Sequence, residues 1–391
     1  MAERIRAIVK PELLLWARHS AGLEIAEAAK KTQVTAERLQ NWEAGAQCPT
    51  LKQLRKLAAV YKRPIAVFYL PEPPLDFKAM RDFRRLPVVL LRTLSPELRF
   101  EIRRAQDRRD LAIELWESAE GTPPTFPHKA SLGDNSEEVA TRIREALGVR
   151  YESQIGWTGY YQPFNNWRAA LEGAGVLVFQ AVDVEVSEVR GFSIGDQPLP
   201  AVIVNIKDTP RGRTFTMLHE LAHIMLGHAG LCDLDEEADP TSEEERVEVF
   251  CNRVAGAAIV PRATLLQEDL VRDRKSPTEW SDDEIRTLAN RYGASRETLL
   301  RRLLICGRAN ETFYRRKREQ FLEEYKTHRQ RVSGFAPPDV IAVSRAGKLF
   351  VRLVLDNYYQ DRVTASDVSD FLEVRLKHLS KIEAQLQAST S

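Results

Sequence analysis

Nothing in this chain approaches the roughly 20 consecutive apolar residues that span a bilayer. The opening residues MAERIRAIVKPELLLWARHS lack the apolar core and small-residue cleavage site of a secretory leader. The sequence therefore predicts a cytoplasmic protein with no membrane association. Cysteine is scarce: Cys48, Cys232, Cys251 and Cys306 stand far apart without a CxxC pair. That argues against a disulfide framework and against a thiolate zinc knuckle. Net charge is only +1, with 57 Lys and Arg against 56 Asp and Glu, so whole-molecule electrostatics would not draw the chain onto nucleic acid. No internal repeat is visible. The acids between Asp233 and Asp239 lack EF-hand spacing and read as a solvated loop.

What is present is an ordinary globular composition, 43% hydrophobic and 29% charged over 391 residues, enough for two or three domains. The charge is segregated. Residues 1–70 carry twelve Lys or Arg against six acids and residues 78–109 ten against four, whereas residues 233–248 carry nine acids against Arg246 alone. Basic and acidic work are therefore expected in different parts of the chain. A break at Pro71-Glu-Pro-Pro74 marks the first boundary. The expected division is 1–72, a helix-turn-helix domain; 73–125, a helical connector whose residues 76–120 read as long charged helices, one of them starting at Ser95 as N-cap and Pro96; 126–270, an α+β domain; and 271–391, a helical C-terminal domain.

Residues 12–70 read as five short helices, with Leu13, Leu14 and Ala17, then Ile25, Ala26 and Ala29, then Leu39 and Trp42, then Leu51, Leu54, Leu57 and Ala58 turned inward, and Ile65–Tyr69 last. Thr35 is positioned to cap the third helix, whose Glu37, Arg38 and Asn41 face outward, a geometry that suits entry into a major groove. Lys52, Arg55 and Lys56 are placed to meet phosphates. The segment resembles the Xre or phage-repressor type of helix-turn-helix, whose hallmark appears as Trp42-Glu43-Ala44-Gly45 and Pro49-Thr50-Leu51. It departs at the turn before helix three, where that family often has Gly and this chain has Lys31-Thr32. Duplex DNA is the expected partner, with Thr35, Glu37, Arg38 and Asn41 as the DNA-binding residues. A module kept for dimerisation or for docking a related repressor is the competing reading, since Glu37 repels phosphate.

In His219-Glu-Leu-Ala-His223 two histidines four residues apart project from one helix face and can share a metal ion, with Glu220 beside them as general base. Such a pattern arises by chance on surface helices. Here Phe215, Met217, Leu218, Leu221, Ala222, Ile224 and Met225 surround it, so the helix is expected to be buried, and buried polar groups need a partner. A catalytic zinc site takes three protein ligands and an open position. His228 does not fit as the third, because the HExxHxxGxxH pattern would need Gly at 226 and His at 229, and this chain has Leu226 and Ala229. Glu248, on an amphipathic stretch that runs to Pro261, is preferred, with Glu244 and Glu245 competing. Cys232 could instead reach the metal and mask it, against the simpler reading of a buried inert thiol.

From about Val176 to Pro261 the chain resembles the ImmA/IrrE family of bacterial metallopeptidases, through Pro200-Ala-Val-Ile-Val-Asn205, Arg213-Thr-Phe-Thr-Met-Leu-His-Glu-Leu-Ala-His223 and the stretch from Glu248 to Pro261. Cys251 and Val254 replace the Ala and Phe common there. The resemblance implies a zincin-like site with Zn2+ on His219, His223 and Glu248 that cleaves an Xre-like transcriptional repressor and relieves repression after a stress or mobile-element signal. Two other readings stand beside it: a DNA-binding regulator whose peptidase-like domain is a sensor, and a toxin–antitoxin type regulator. The expected fold class is mainly α, with an N-terminal all-α helix-turn-helix domain and an α+β zincin-like metallopeptidase domain. Short β runs are expected at Val176–Phe179, Val189–Ile194 and Ala201–Ile206, the last as an edge strand for an extended substrate or as a core strand.

In the C-terminal part, Ile285 to Ser295 followed by Glu297 to Leu304 reads as a second helix-turn-helix-like unit, and residues 296–331 hold eleven Lys or Arg against five acids. Helices are expected at Phe350–Tyr358 and Ser366–Lys377.

Overall fold

The computed structural model describes residues 6–74, 94–228, 242–274, 276–329 and 336–387. The chain divides into two compact units, Met1–Arg104 and Ala105–Ser391.

The first unit holds α1 (Pro11–Ser20), α2 (Ile25–Thr32), α3 (Ala36–Glu43), α4 (Leu51–Val60) and a 3-10 turn at Ile65–Tyr69. Leu13, Leu14, Ala17, Leu39, Trp42, Leu54 and Leu57 form its core as the spacing predicts, whereas on α2 Ala28 is buried and Ala26 is exposed. The Trp-Glu-x-Gly hallmark has a physical role at each position. Trp42 is buried, and Glu43 accepts two hydrogen bonds from Arg18 of α1, at 2.8 and 2.9 Å. Gly45 sits at φ +75°, where L side chains are strained, with Pro11 Cγ 3.0 Å from where a Cβ would stand. Thr50 then opens α4 with a capping box to Gln53, while the Pro49 carbonyl accepts from Ala7 N–H at 2.8 Å. The turn before α3 is made by Gln33 at φ 58°, one residue beyond the expected Lys31-Thr32 pair.

The second unit begins within α5 (Pro96–Ser118), capped by Ser95 as expected, and continues through α6 (Ser136–Ala146) and α7 (Gln162–Gly173). Its sheet has three strands, β1 (Leu177–Ala181), β2 (Gly191–Ile194) and β3 (Ala201–Asn205), in the order β1-β3-β2. β3 pairs parallel with β1 and antiparallel with β2, for example Val202 opposite both Val178 and Ser193. The Ala201–Ile206 run is therefore the centre of the sheet, which corrects the edge-strand expectation. Ala201 to Val204 are apolar and buried on both faces, the pattern of an interior strand rather than of a docking edge.

α8 (Pro210–Leu226) and α9 (Glu243–Ile259) pack against each other, and α8 also lies on the sheet. α10 (Asp282–Tyr292) and α11 (Arg296–Ile305) follow. One hydrophobic core runs from Phe126 to Phe321 and includes Trp167, Leu218, Leu221, Val254 and Leu300. The second helix-turn-helix-like unit thus packs inward: Leu299, Leu300 and Leu303 of α11 are buried, and Arg302 donates to Val260 O at 2.9 Å and Glu137 Oε1 at 2.6 Å. Many of the basic side chains after 296 pair with acids, among them Arg296 with Glu324, Arg316 with Glu279 and Lys317 with Asp282.

The chain continues through α12 (Glu311–Arg329), α13 (Pro338–Ala346), α14 (Lys348–Tyr359), α15 (Ala365–Phe371) and α16 (Leu379–Gln387). The helix expected over Ser366–Lys377 ends at Phe371, because Glu373 takes a left-handed φ of 53°. The C-terminal helices dock on β1 through a buried polar network. Ser344 O accepts from Arg168 at 2.8 Å and from Gln180 at 2.7 Å, and Gln180 Oε1 accepts in turn from Arg213 of α8. Arg168 is paired with Glu172 at 3.1 Å, whereas Arg213 is held by the neutral Gln180 amide and keeps its Nε buried without a partner. No helix among the described residues is long and apolar enough to cross a membrane.

Candidate metal centre

α8 starts one turn earlier than its apolar run suggests. Thr209 caps it by accepting from Gly212 N–H at 3.0 Å, and Pro210 occupies its first position, where a missing N–H costs nothing. Its interior is buried almost all round, which places His219, Glu220 and His223 in the core. α9 starts at Ser242, whose capping box uses Glu245. That removes Glu245 as a ligand, and Glu244 is exposed to solvent. Glu248, one turn further in, faces the histidines.

His219 Nε2 and His223 Nε2 lie 3.0 Å apart, and the two Glu248 oxygens lie 3.2 Å from His219 Nε2 and 3.3 Å from His223 Nε2. These three residues are the group among the described residues whose ligand atoms converge enough to hold a metal ion. Zinc bonds of about 2.0–2.1 Å set tetrahedral ligand atoms roughly 3.3–3.4 Å apart, close to the 3.0 Å between the two Nε2 atoms and to the short contact each makes with one or the other Glu248 oxygen. The histidines are 0% and 2% exposed, whereas the Glu248 side chain keeps 22% of its surface, so the centre opens on the α9 side. The two Nε2 nitrogens and the Glu248 carboxylate form a donor set that a shared cation would satisfy, while each Nδ1, on the far side of its ring, is buried without a hydrogen-bond partner. Burial works against the Glu248 carboxylate, and the two adjacent imidazoles more than offset it, holding its carboxyl down at about 2.

Glu220 is buried on the same helix and accepts a hydrogen bond from Ser193 Oγ of β2 at 2.8 Å. The sequence reading missed both Ser193 and the glycine two residues before it. A Cβ on Gly191 would stand 2.4 Å from Thr216 Cγ2 and 2.7 Å from Ile203 O, so glycine is what lets α8 lie this close to the strand. A glycine inside a strand pattern was the available signal. Gly191→Ala is expected to destabilise the chain by about 1–3 kcal/mol, the usual scale of overpacking. Urea denaturation followed by circular dichroism measures it, and an unchanged midpoint would mean that the helix gives way freely.

His228 lies past the C-terminal Gly227 and outside the ligand group. Cys251, three residues after Glu248, is fully buried; burial above all, with Glu248 and Glu220 near it, pushes its thiol up, so it stays protonated. Cys232 falls outside the described residues.

In the first unit, Thr35 caps α3 by accepting from Arg38 N–H at 3.3 Å. Thr35, Glu37 and Arg38 are exposed and Asn41 is half-buried, so the four share the outer side of α3 as expected. The Arg38 guanidinium lies 5.6 Å from the Trp42 ring centre. Lys52, Arg55 and Lys56 are exposed on α4, and Lys56 Nζ donates to Gln33 Oε1 at 2.6 Å, tying the turn before α3 to α4.

Residues 14–68 match the family model described as helix-turn-helix, and residues 171–304 match the model of the IrrE N-terminal-like domain, a peptidase family. No curated protein matches the chain.

Proposed function

From a chain that carries a helix-turn-helix domain and an IrrE-type peptidase domain, we propose a zinc-dependent endopeptidase that cleaves an Xre-like transcriptional repressor and uses its own helix-turn-helix to reach DNA. The observation that carries this reading is the convergence of His219, His223 and Glu248 to within 3.0–3.3 Å, with the buried Glu220 on the same helix. Zinc on these three residues supplies Lewis acidity toward a peptide carbonyl and toward water. Glu220 takes the proton of the attacking water and hands it to the departing amine, the role of a positioned general base and acid. The helix-turn-helix explains the substrate class, because a protease that docks at an operator meets the repressor bound there.

The test is incubation of the zinc-loaded full chain with an Xre-type repressor encoded beside it, followed on a gel. A discrete cleavage that stops with a chelator supports the proposal. A chain that holds zinc and duplex DNA yet leaves that repressor intact would be a sensor-type regulator instead.

For the DNA arm, the full chain is expected to bind duplex DNA of its own locus with an affinity that falls steeply with salt, because Lys52, Arg55 and Lys56 displace counterions from phosphates. Arg38→Ala should weaken binding further. Mobility shifts at increasing salt measure both, and no shift even at low salt would assign the module to protein docking.

A further inference from the structure

Gly191 and Ser193 of β2 both face α8. The first allows the close approach, and the second, fully buried, spends its hydroxyl on the Glu220 carboxylate at 2.8 Å. Resting on the metallopeptidase reading above, we infer that Ser193 is a positioning residue for Glu220: it ties this carboxylate to the sheet and keeps it from swinging onto the metal as a fourth protein ligand.

A carboxylate next in sequence to one ligand and buried beside a divalent cation is pulled toward it, and a fourth protein ligand would turn an open catalytic site into a closed structural one. The ligand atoms that converge belong to His219, His223 and Glu248, with Glu220 outside the group. The restraint comes from a rigid element. Ser193 lies opposite Val202 of β3 in the pairing register, so its hydroxyl does not follow small movements of α8. A hydrogen bond to a charged acceptor is strong enough to select one side-chain orientation.

Cobalt(II)-loaded full chain titrated with acetohydroxamic acid and followed by its visible d–d spectrum tests this without a peptide substrate, since a hydroxamate binds the metal and gives its proton to the neighbouring base. Ser193→Ala is expected to keep stoichiometric cobalt, to change the spectrum of the free protein as Glu220 enters the coordination sphere, and to weaken acetohydroxamate by about tenfold, the scale of one charged hydrogen bond. On a Glu220→Gln background the same change should add nothing, because Ser193 acts through Glu220. Ser193→Cys keeps the volume with a weaker donor and should fall between, which preserves the test if the alanine chain does not fold. An unchanged spectrum and affinity in Ser193→Ala, or an equal loss on both backgrounds, would overturn the inference and leave Ser193 a packing residue. If Glu220→Gln alone leaves acetohydroxamate binding intact, the role of Glu220 as base falls instead, and a wild-type chain that takes up no cobalt would remove the metal reading and this inference together.

Discussion

Glu220→Gln is expected to lower peptide-bond hydrolysis by roughly 10²-fold or more, the usual scale for losing a positioned general base, while the metal stays bound. The two effects separate because Glu220 lies outside the converging set of His219, His223 and Glu248. Gln is nearly isosteric and can still accept from Ser193, so the packing of α8 on β2 is retained. Cleavage of the repressor on a gel, set beside elemental analysis of the same preparation, measures the separation. A Glu220→Gln chain that cuts at the wild-type rate would remove the base from the account.

The second large effect belongs to the first unit. Glu43→Ala leaves the Arg18 guanidinium, otherwise held in a bidentate pair at 2.8 and 2.9 Å, with Leu23 O at 2.9 Å as its main remaining acceptor in the core. Both side chains are under one tenth exposed, and the pair holds the Arg18 pKa above its ordinary value, through the hydrogen bond to Glu43 first. Breaking such a pair from one side is expected to cost about 3 kcal/mol, because it strands a buried charge. Hydrogen exchange of the α1 and α3 amides in the full chain should speed up by about 10²-fold, the same free energy expressed as an opening equilibrium. DNA binding should fail at temperatures where the wild type retains it. Unchanged protection would mean that Trp42 and the surrounding leucines hold the unit without the ion pair.

Much of this architecture was legible because local chemistry and burial agree. The apolar spacing of Leu13, Leu39 and Trp42, the caps at Thr35 and Ser95, and the pairing of His219 with His223 each depend on residues within one or two turns. Glu248 was reachable as a ligand because its neighbours on α9 are apolar and buried; that Glu245 belongs to the N-terminal capping box appeared only once α9 was seen to begin at Ser242. The illegible parts depend on contacts far apart in sequence. Ser193 and Glu220 are 27 residues apart and meet only because β2 lies under α8. Strand order cannot be read from a run such as Ala201–Asn205, whose apolar character fits a centre as well as an edge. The C-terminal helices offered no motif, since their attachment to β1 runs through the carbonyl and hydroxyl of Ser344 and the ring of Phe350 against Phe179, contacts between residues far apart in sequence.

The measurement that bears most directly on the account is the metal content of the purified, desalted full chain by elemental analysis, wild type beside Glu248→Gln. An amide is a far weaker ligand than a carboxylate, and Glu248 completes the three-residue set at 3.2 and 3.3 Å from the two imidazoles. The account predicts stoichiometric zinc in the wild type and little or none in Glu248→Gln, with duplex DNA binding unchanged in both. Zinc retained in full by Glu248→Gln, or a wild-type chain that holds no divalent metal after reconstitution, would contradict it.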